Sequence, residues 1–146
     1  MAIDGLFLYN IQEKLNAYTP CKIGKIQNIS DEEILIHLHT RNDGNQKLVI
    51  NVHSNTNRVY IANFIPGIQP EPSNFVMVLR KLCPQAIVES FEQVGFDRIL
   101  CLHLSCRNEF QDLVKYDLNI ELMGKYANLI LVKEGVIVDA LKRIPV

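Results

Sequence analysis

The chain has 146 residues, no tryptophan, only four cysteines and no long hydrophobic run. No apolar stretch approaches the ~20 residues that a membrane-spanning helix needs. The amino terminus has an acidic residue, Asp4, and no basic region, so it does not resemble a secretory signal. The cysteines lack the dense, regular spacing of a disulfide scaffold. We therefore predict a cytoplasmic protein with reduced thiols and no membrane contact.

The chain also lacks a strong charge of either sign and lacks the common catalytic motifs. Its formal net charge is -1, from 15 basic and 16 acidic residues, so any contact with nucleic acid must be local. It contains no G-x-S-x-G elbow, no glycine-rich phosphate loop and no H-E-x-x-H pair. These absences favour a binding protein over an enzyme.

The hydrophobic pattern predicts nine strands and two helices. The first helix begins after Asp4 and places Phe7, Ile11 and Leu15 on one face, beside Leu8. A second helix begins after Ser73 and ends before Pro84. Alternating residues predict strands at 22–29, 34–40, 48–52, 59–62, 87–94, 98–105, 117–122, 128–132 and 136–141.

This order of elements predicts a single domain over residues 1–146 of the α+β class. We expect an antiparallel β-sandwich or partly open barrel with two helices. The chain ends abruptly after Lys142 and Arg143, without a helix cap or a polar tail. We therefore expect the domain to be a fragment of a longer, multidomain protein.

One turn carries unusual residues for its position. Gly95, Phe96, Asp97 and Arg98 separate two predicted strands, so they form a hairpin connection. An acid next to an arginine offers two acceptors and a planar fork of donors, which suits a polar partner. The alternative is structural: Asp97 caps the turn and the stem of Arg98 covers apolar surface.

Pairs of basic residues offer a second, weaker indication of a polar partner. Together with Lys47, Arg58 and Arg98, two such pairs would form a modest phosphate-binding patch. On their own, pairs of basic residues are typical of solvated surfaces and of helix ends. Exposed aromatic residues would add stacking platforms for unpaired bases, and Phe96 and Tyr126 are the candidates, unless they lie in the core. The pairs are Arg80 with Lys81 and Lys142 with Arg143.

Metal binding and thiol chemistry are the remaining alternatives. His37 and His39 share one face of a strand, and a third zinc ligand would have to come from Cys101 or His103. Zinc motifs use tighter pairs, so a polar outer face of the sheet is the preferred interpretation. Cys83 has no evident base nearby and is predicted to be a buried structural thiol. We expect no metal and no cofactor.

Several segments together resemble the amino-terminal domain of NFACT proteins, whose bacterial members are called RqcH or fibronectin-binding protein A-like. The resemblance includes the Gly95 to Arg98 turn, spans essentially the whole chain and keeps the family's order. The matching segments are residues 1–8, 45–50, 70–72, 75–82, 95–99, 121–132 and 139–143.

The resemblance implies a factor of ribosome-associated quality control. Members of the family bind large ribosomal subunits that still carry peptidyl-tRNA, and they recruit alanyl-tRNA for untemplated tailing of the nascent chain. The ribosome forms the peptide bonds, so no enzymatic activity is implied. The resemblance assigns tRNA binding to Asp97 and Arg98. It leaves Arg80, Lys81, Lys142 and Arg143 as candidate RNA-contacting residues.

The sequence departs from the family pattern at two places. Residues 53–58 replace a common His-Pro-Ser run, and residues 125–128 replace an Arg-His-Ser-Asn form. The family's domain is also similar in fold to the amino-terminal domain of formamidopyrimidine-DNA glycosylases. Those enzymes use an amino-terminal proline and a glutamate, whereas this chain has Ala2 and Ile3, so we expect no glycosylase activity.

The older family name supplies a rival function, a surface adhesin that binds fibronectin. Export without a signal peptide or an anchor is hard to explain physically, so surface display would be a second role at most. The partners expected from the sequence are therefore tRNA and the large ribosomal subunit, with fibronectin as the alternative.

Overall fold

A computed structural model describes residues 5–95 and 98–143 of the chain. The two helices are α1 (Gly5–Asn16) and α2 (Asn74–Leu82), and a short 3-10 turn spans Gly124–Tyr126. The strands are β1 (Cys21–Ser30), β2 (Glu33–His39), β3 (Asn45–Asn51), β4 (Arg58–Ala62), β5 (Ile87–Gln93), β6 (Ile99–Arg107), β7 (Leu113–Glu121), β8 (Asn128–Lys133) and β9 (Val136–Ala140). Every predicted element is present.

All nine strands belong to one antiparallel sheet in the order β4-β3-β2-β1-β5-β6-β7-β8-β9. Seven of the eight neighbouring pairs are consecutive strands, as short connections favour. The exception is β1 with β5, which pair through Cys21 with Val88 and Lys22 with Ile87, next to a hydrogen bond from the Ile23 amide to the Ala86 carbonyl. The predicted α+β class and antiparallel sheet are therefore confirmed. Within the described residues β4 and β9 do not pair, so the sheet is open rather than a closed barrel.

One apolar core joins the two halves of the sheet. Alternate residues of β1–β4 and of β5–β8 contribute to a single buried cluster, because successive side chains of a strand point to opposite faces. We call the opposite side of each half its outer face. Ser73 caps α2 by accepting a hydrogen bond from the Val76 amide, and Phe75, Val76 and Leu79 of that helix enter the core. The predicted helix start is confirmed.

Two local expectations need correction. Phe7 is 55% exposed, whereas Leu8 and Leu15 are buried, so the buried face of α1 is rotated from the predicted one. Strand β7 begins at Leu113 rather than Asp117, because residues 113–117 pair with the second half of β6. The pairing partner, which is distant in sequence, determines where this strand begins.

The helices of the described residues are short. Neither α1, with 12 residues, nor α2, with 9, is long and apolar enough to cross a membrane.

Candidate nucleic-acid interface

The turn singled out in the sequence connects β5 to β6, as predicted. The Val94 amide donates to the Ile99 carbonyl at 3.0 Å and closes the hairpin. Gly95 adopts a positive φ of 60°, a conformation that glycine reaches without steric cost. Phe96 and Asp97 lie outside the described residues. Arg98 is half-buried, and its guanidinium pairs with no side chain of residues 5–95 or 98–143.

The backbone at Arg98 is fixed by the neighbouring strand. Its carbonyl accepts a hydrogen bond from the Leu122 amide at 2.8 Å, which continues the pairing of Ile99 with Glu121. The turn therefore starts from the central, well-packed part of the sheet. Because its backbone is fixed by the sheet, the Arg98 side chain extends from a defined position, which favours a specific contact over a nonspecific one.

The segment that follows Leu122 lies against a loop that is distant in sequence. Nδ2 of Asn57 donates to the Gly124 carbonyl at 3.1 Å, across 67 residues of sequence. The same group also lies within hydrogen-bond distance of the carbonyls of His53 and Ser54, and it closes the loop between β3 and β4. Residues 53–58 and 125–128 are the two places where the sequence departs from the family pattern, and this hydrogen bond lies at the point where they meet. The tertiary structure brings them together.

Lys125 and Tyr126 project from this junction. Tyr126 is 67% exposed, so it is not a core residue, and Nζ of Lys125 lies 5.2 Å from the centre of its ring. An exposed aromatic ring with a cation over it can stack on a base while the cation meets a phosphate. The structure thus makes Tyr126 available as a stacking platform. The sequence alone left that availability open.

Three of the four other basic candidates already have partners inside the domain. Arg80 donates through Nε to the Ile26 carbonyl at 2.8 Å. Nζ of Lys142 donates to the Val52 carbonyl at 2.6 Å and forms an ion pair with Glu32 at 3.0 Å. Arg143 makes a bidentate contact with Asp139, at 3.0 and 3.1 Å.

Lys81 differs from these three. It is exposed in the last turn of α2, and its ammonium has no partner among the described residues. No contact in the described part of the chain links Lys81 to Arg98. The two free cations are therefore separate features of the surface, and the predicted candidates do not form one continuous patch through direct contacts.

The outer face of β1–β4 carries a group of cations that the sequence only partly indicated. Lys22 pairs with His39, and His37 pairs with Lys47, so these four side chains share one face. Burial, followed by the charges of Lys47, Lys25 and His39, lowers the pKa of His37. The charge contribution to this shift, which is smaller than that of burial, reflects the cations close to His37. This face suits an anion such as a phosphate.

The two histidines of this face do not form a metal site with the predicted partners. His37 contacts Oε1 of Gln27 at 3.0 Å, and His39 contacts Oδ1 of Asn45. Cys101 and His103 lie on β6, which is separated from β2 by β1 and β5. The preferred interpretation of the sequence, a polar outer face, is the one that the structure supports for these two histidines.

The outer face of β5–β7 has the opposite character. His103 lies between two carboxylates, 2.8 Å from Oε1 of Glu92 and 2.8 Å from Oδ1 of Asp117. Burial by itself lowers the pKa of His103, but the hydrogen bonds and charges of Glu92 and Asp117 outweigh it, and the net pKa is raised. Sequence reasoning missed this cluster because its members come from three strands. Only the register brings them together.

All four cysteines are buried and free. Burial raises the pKa of Cys21 to about 11, and burial together with the neighbouring Cys106 raises the pKa of Cys83 to about 12. A thiol with such a pKa is protonated and unreactive near neutral pH. Cys83 is thus a buried thiol, as the sequence predicted.

The chain matches a known family over almost its full length. Residues 4–146 match the family model described as NFACT N-terminal and middle domains. A curated relative, the Rqc2 homolog RqcH of Bacillus subtilis (strain 168), is 35% identical over 147 residues, which cover 99% of this chain and 26% of the relative. The chain thus spans about a quarter of the length of that relative.

Solved structures share the fold. The amino-terminal part of the fibronectin/fibrinogen-binding protein from Streptococcus suis superposes with a TM-score of 0.93 and 32% identity, over 99% of this chain and 55% of that one. The amino-terminal domain of fibronectin-binding protein PavA from Streptococcus pneumoniae superposes with a TM-score of 0.92 and 32% identity, over 98% of this chain and 55% of that one.

Proposed function

The chain belongs to the NFACT family, as a match to its N-terminal and middle domains, and from that membership we propose that it is the tRNA-contacting domain of a ribosome quality control factor. In this proposal the whole protein binds large ribosomal subunits that carry peptidyl-tRNA, in the cytoplasm. It recruits alanyl-tRNA there for untemplated tailing of the nascent chain. The domain binds and positions RNA and catalyses no reaction of its own.

The free guanidinium of Arg98 is the observation that carries the proposal. It starts from a backbone held by Leu122, and no described side chain neutralises it. A planar fork of donors matches a phosphate or the edge of a base. We infer that Arg98 contacts tRNA and that Asp97, the neighbouring acid, accepts hydrogen bonds from RNA or orients Arg98.

Two further features support contact with RNA. The Lys125–Tyr126 pair offers a ring for a base and a cation for a phosphate. The outer face of β1–β4 presents Lys22 and Lys47 beside His37, and burial, followed by the charges of Lys47 and Lys25, lowers the pKa of His37. A domain with a net charge of only -1 can thus bind a polyanion locally.

The experiment is a titration of the natural full-length protein against alanyl-tRNA at several salt concentrations. We expect Arg98→Ala to weaken binding about tenfold. Loss of a phosphate contact also reduces the slope of log K against log salt by about 1, whereas loss of a contact with a base edge leaves that slope unchanged. Arg107→Ala is the matched control. Arg107 ends the same strand, β6, and is exposed. Its variant should bind tRNA like the parent.

A cell-based tailing assay completes the test. The double variant Asp97→Ala with Arg98→Ala should still sediment with large subunits but should no longer add tails to stalled chains. Normal tailing by that variant would refute the assignment of these two residues. Loss of subunit binding together with tailing would instead mean that the turn acts in ribosome docking, which also contradicts the proposal.

Fibronectin binding is a second candidate, since the two solved relatives are described as fibronectin-binding proteins. The same protein titrated against fibronectin separates the two functions. Binding to tRNA should weaken steeply as salt rises, because counterions compete for the phosphates. Tight fibronectin binding by a protein that does not bind tRNA at any salt concentration would favour the adhesin.

A further inference from the structure

The outer face of β5–β7 brings a thiol, an imidazole and a carboxylate together. One ligand atom each from Cys101, His103 and Asp117 lies within 4.8 Å of the other two. Cys101 and His103 are two residues apart on β6 and so share a face, and Asp117 on β7 is paired directly with His103. The backbone hydrogen bonds of two interior strands therefore hold all three side chains.

We propose that Cys101, His103 and Asp117 bind a divalent transition-metal ion, with zinc the best-suited ion. A thiolate sulfur, an imidazole nitrogen and a carboxylate oxygen are the three ligand types that zinc takes in proteins. Magnesium and calcium prefer sets of oxygen ligands, so the sulfur and nitrogen disfavour them. One thiolate and one carboxylate neutralise the charge of the ion, so its binding buries no net charge.

Two of the three distances between the ligand atoms are close to those that a tetrahedral zinc site needs, and the third, between Cys101 and Asp117, is within 4.8 Å. Sγ of Cys101 lies 3.8 Å from Nδ1 of His103, and ligand distances of about 2.3 Å for sulfur and about 2.0–2.1 Å for nitrogen imply about 3.6 Å. Nδ1 of His103 lies 2.8 Å from Oδ1 of Asp117, where about 3.3 Å is implied. The ion would take the place of the proton between these two atoms. Asp117 is 48% exposed and has room to make the adjustment.

A fourth residue orients the imidazole for this role. Oε1 of Glu92 lies 2.8 Å from Nε2 of His103, the ring nitrogen that faces away from the site. A carboxylate on the far nitrogen fixes the tautomer of a metal-bound histidine and strengthens it as a ligand. Glu92 is paired directly with Cys101 on β6, so the register places it beside Cys101 as well as His103.

The burial of the Cys101 sulfur determines how the ion would lie on the sheet. Cys101 is only 4% exposed although it lies on the outer face, whereas His103 and Asp117 are half-exposed. The ion would thus be held against the sheet from the solvent side, with one position left for water or a partner's group. It would link β6 to β7 through side chains and raise the stability of the folded state by mass action.

Cobalt(II) is the probe, added to the tag-free, metal-free, reduced natural protein. We expect a near-ultraviolet thiolate-to-cobalt charge-transfer band and the intense visible bands of a tetrahedral site, both removed by stoichiometric zinc. Cys101→Ser should abolish the charge-transfer band, and Asp117→Asn should weaken binding at least tenfold. Zinc should raise the melting temperature of the parent but not of these variants.

Matched controls come from the same elements. Cys106→Ser removes the other thiol of β6, which lies on the core side of the strand, and should leave the cobalt spectrum unchanged. Asp112→Asn removes an exposed carboxylate just before β7 and should do the same. Circular dichroism establishes that each variant is folded. If Cys101→Ser does not fold, the cobalt affinity of Asp117→Asn, a substitution at a half-exposed position, tests the proposal instead.

Three results would overturn the proposal. The first is a parent spectrum of hexa-aqua cobalt, with no charge-transfer band at any concentration. The second is a charge-transfer band that persists in Cys101→Ser. The third is equal cobalt affinity in Asp117→Asn and the parent. None of these readouts involves RNA, so the metal site and the tRNA proposal stand or fall separately.

Discussion

Asn128 and Lys142 are joined by two hydrogen bonds, each 2.9 Å long. Nδ2 of Asn128 donates to the Lys142 carbonyl, and the Lys142 amide donates back to Oδ1 of Asn128. The same oxygen accepts from the Leu129 amide at 2.8 Å. Asn128 is 5% exposed, so it satisfies these backbone groups where water has little access. This contact holds residues 141–143 against the start of β8.

Replacing Asn128 should therefore destabilise the domain. We expect Asn128→Ala to lower the free energy of unfolding by about 2 kcal/mol, because three backbone groups of Leu129 and Lys142 lose this partner. Urea denaturation measures the change. Asn42→Ala, at an exposed loop position, is the control and should stay within about 0.5 kcal/mol of the parent. Equal stability of the two variants would contradict the structural role of Asn128.

Lys142 should act in stability rather than in RNA contact. Its ammonium donates to the Val52 carbonyl and pairs with Glu32. Lys142→Met keeps the aliphatic stem and should lower the free energy of unfolding by about 2 kcal/mol, since it removes a charged donor from the carbonyl of the buried residue Val52. The salt slope of tRNA binding should not change. A lower salt slope of tRNA binding in Lys142→Met, with an unchanged free energy of unfolding, would instead show that Lys142 contacts RNA.

Arg143 is the exposed counterpart of Lys142. Its side chain is 63% exposed and pairs with Asp139 four residues away. Exposed ion pairs contribute little to stability, so Arg143→Ala should leave the free energy of unfolding close to that of the parent. Differential scanning calorimetry of the two variants side by side would show the contrast. A larger loss for Arg143 than for Lys142 would mean that the partners are assigned wrongly.

Neighbouring strands β8 and β9 should respond differently to the same truncation. Leu131 on β8 is fully buried, whereas Ile137 on the edge strand β9 is 65% exposed. Leu131→Ala should cost about 2–5 kcal/mol, because it leaves a cavity in the core. Ile137→Ala should stay within about 0.5 kcal/mol. Chemical denaturation of both variants measures the two losses in the free energy of unfolding. A larger loss for Ile137→Ala than for Leu131→Ala would mean that the solvent-facing side of β9 is assigned wrongly.

The buried thiols should resist modification and make the domain sensitive to alkali. With a pKa of about 11, about one Cys21 thiol in a thousand is ionised at pH 8, so a disulfide reagent should react only as the protein unfolds. The unfolded chain loses these protons from about pH 8.5 upward. Because the folded pKa is the higher one, stability is fully present below that pH and declines as the pH rises toward 11.

Thiol-reagent kinetics and urea midpoints at pH 7 and pH 10 measure these effects. Asn42→Cys adds an exposed thiol to the loop between β2 and β3 and should give one fast-reacting group in the folded protein. Fast reaction of the parent under native conditions would show that the cysteines are accessible. A constant urea midpoint between the two pH values would mean that the folded and unfolded pKa values are the same.

The elements of the fold could be predicted from the sequence because their causes are local. Alternation of apolar residues places the strands, Ser73 caps α2 through a hydrogen bond three residues away, and Gly95 permits the turn between β5 and β6. The start of β7 was predicted too late, because residues 113–117 are strand only through their pairing with β6. The exposure of Phe7 likewise depends on how α1 packs.

The sequence alone determined the helices, the strands and the turn that carries Arg98, because periodicity, capping and turn chemistry act over a few residues. Which cations stay free was decided by the tertiary structure, because Lys142 meets Val52 across 90 residues of sequence and Arg80 meets Ile26 across 54. The register of β5, β6 and β7 likewise brings Cys101, His103 and Asp117 within ligand distance. Pairing over such separations depends on the whole folded chain, so no local pattern encodes it.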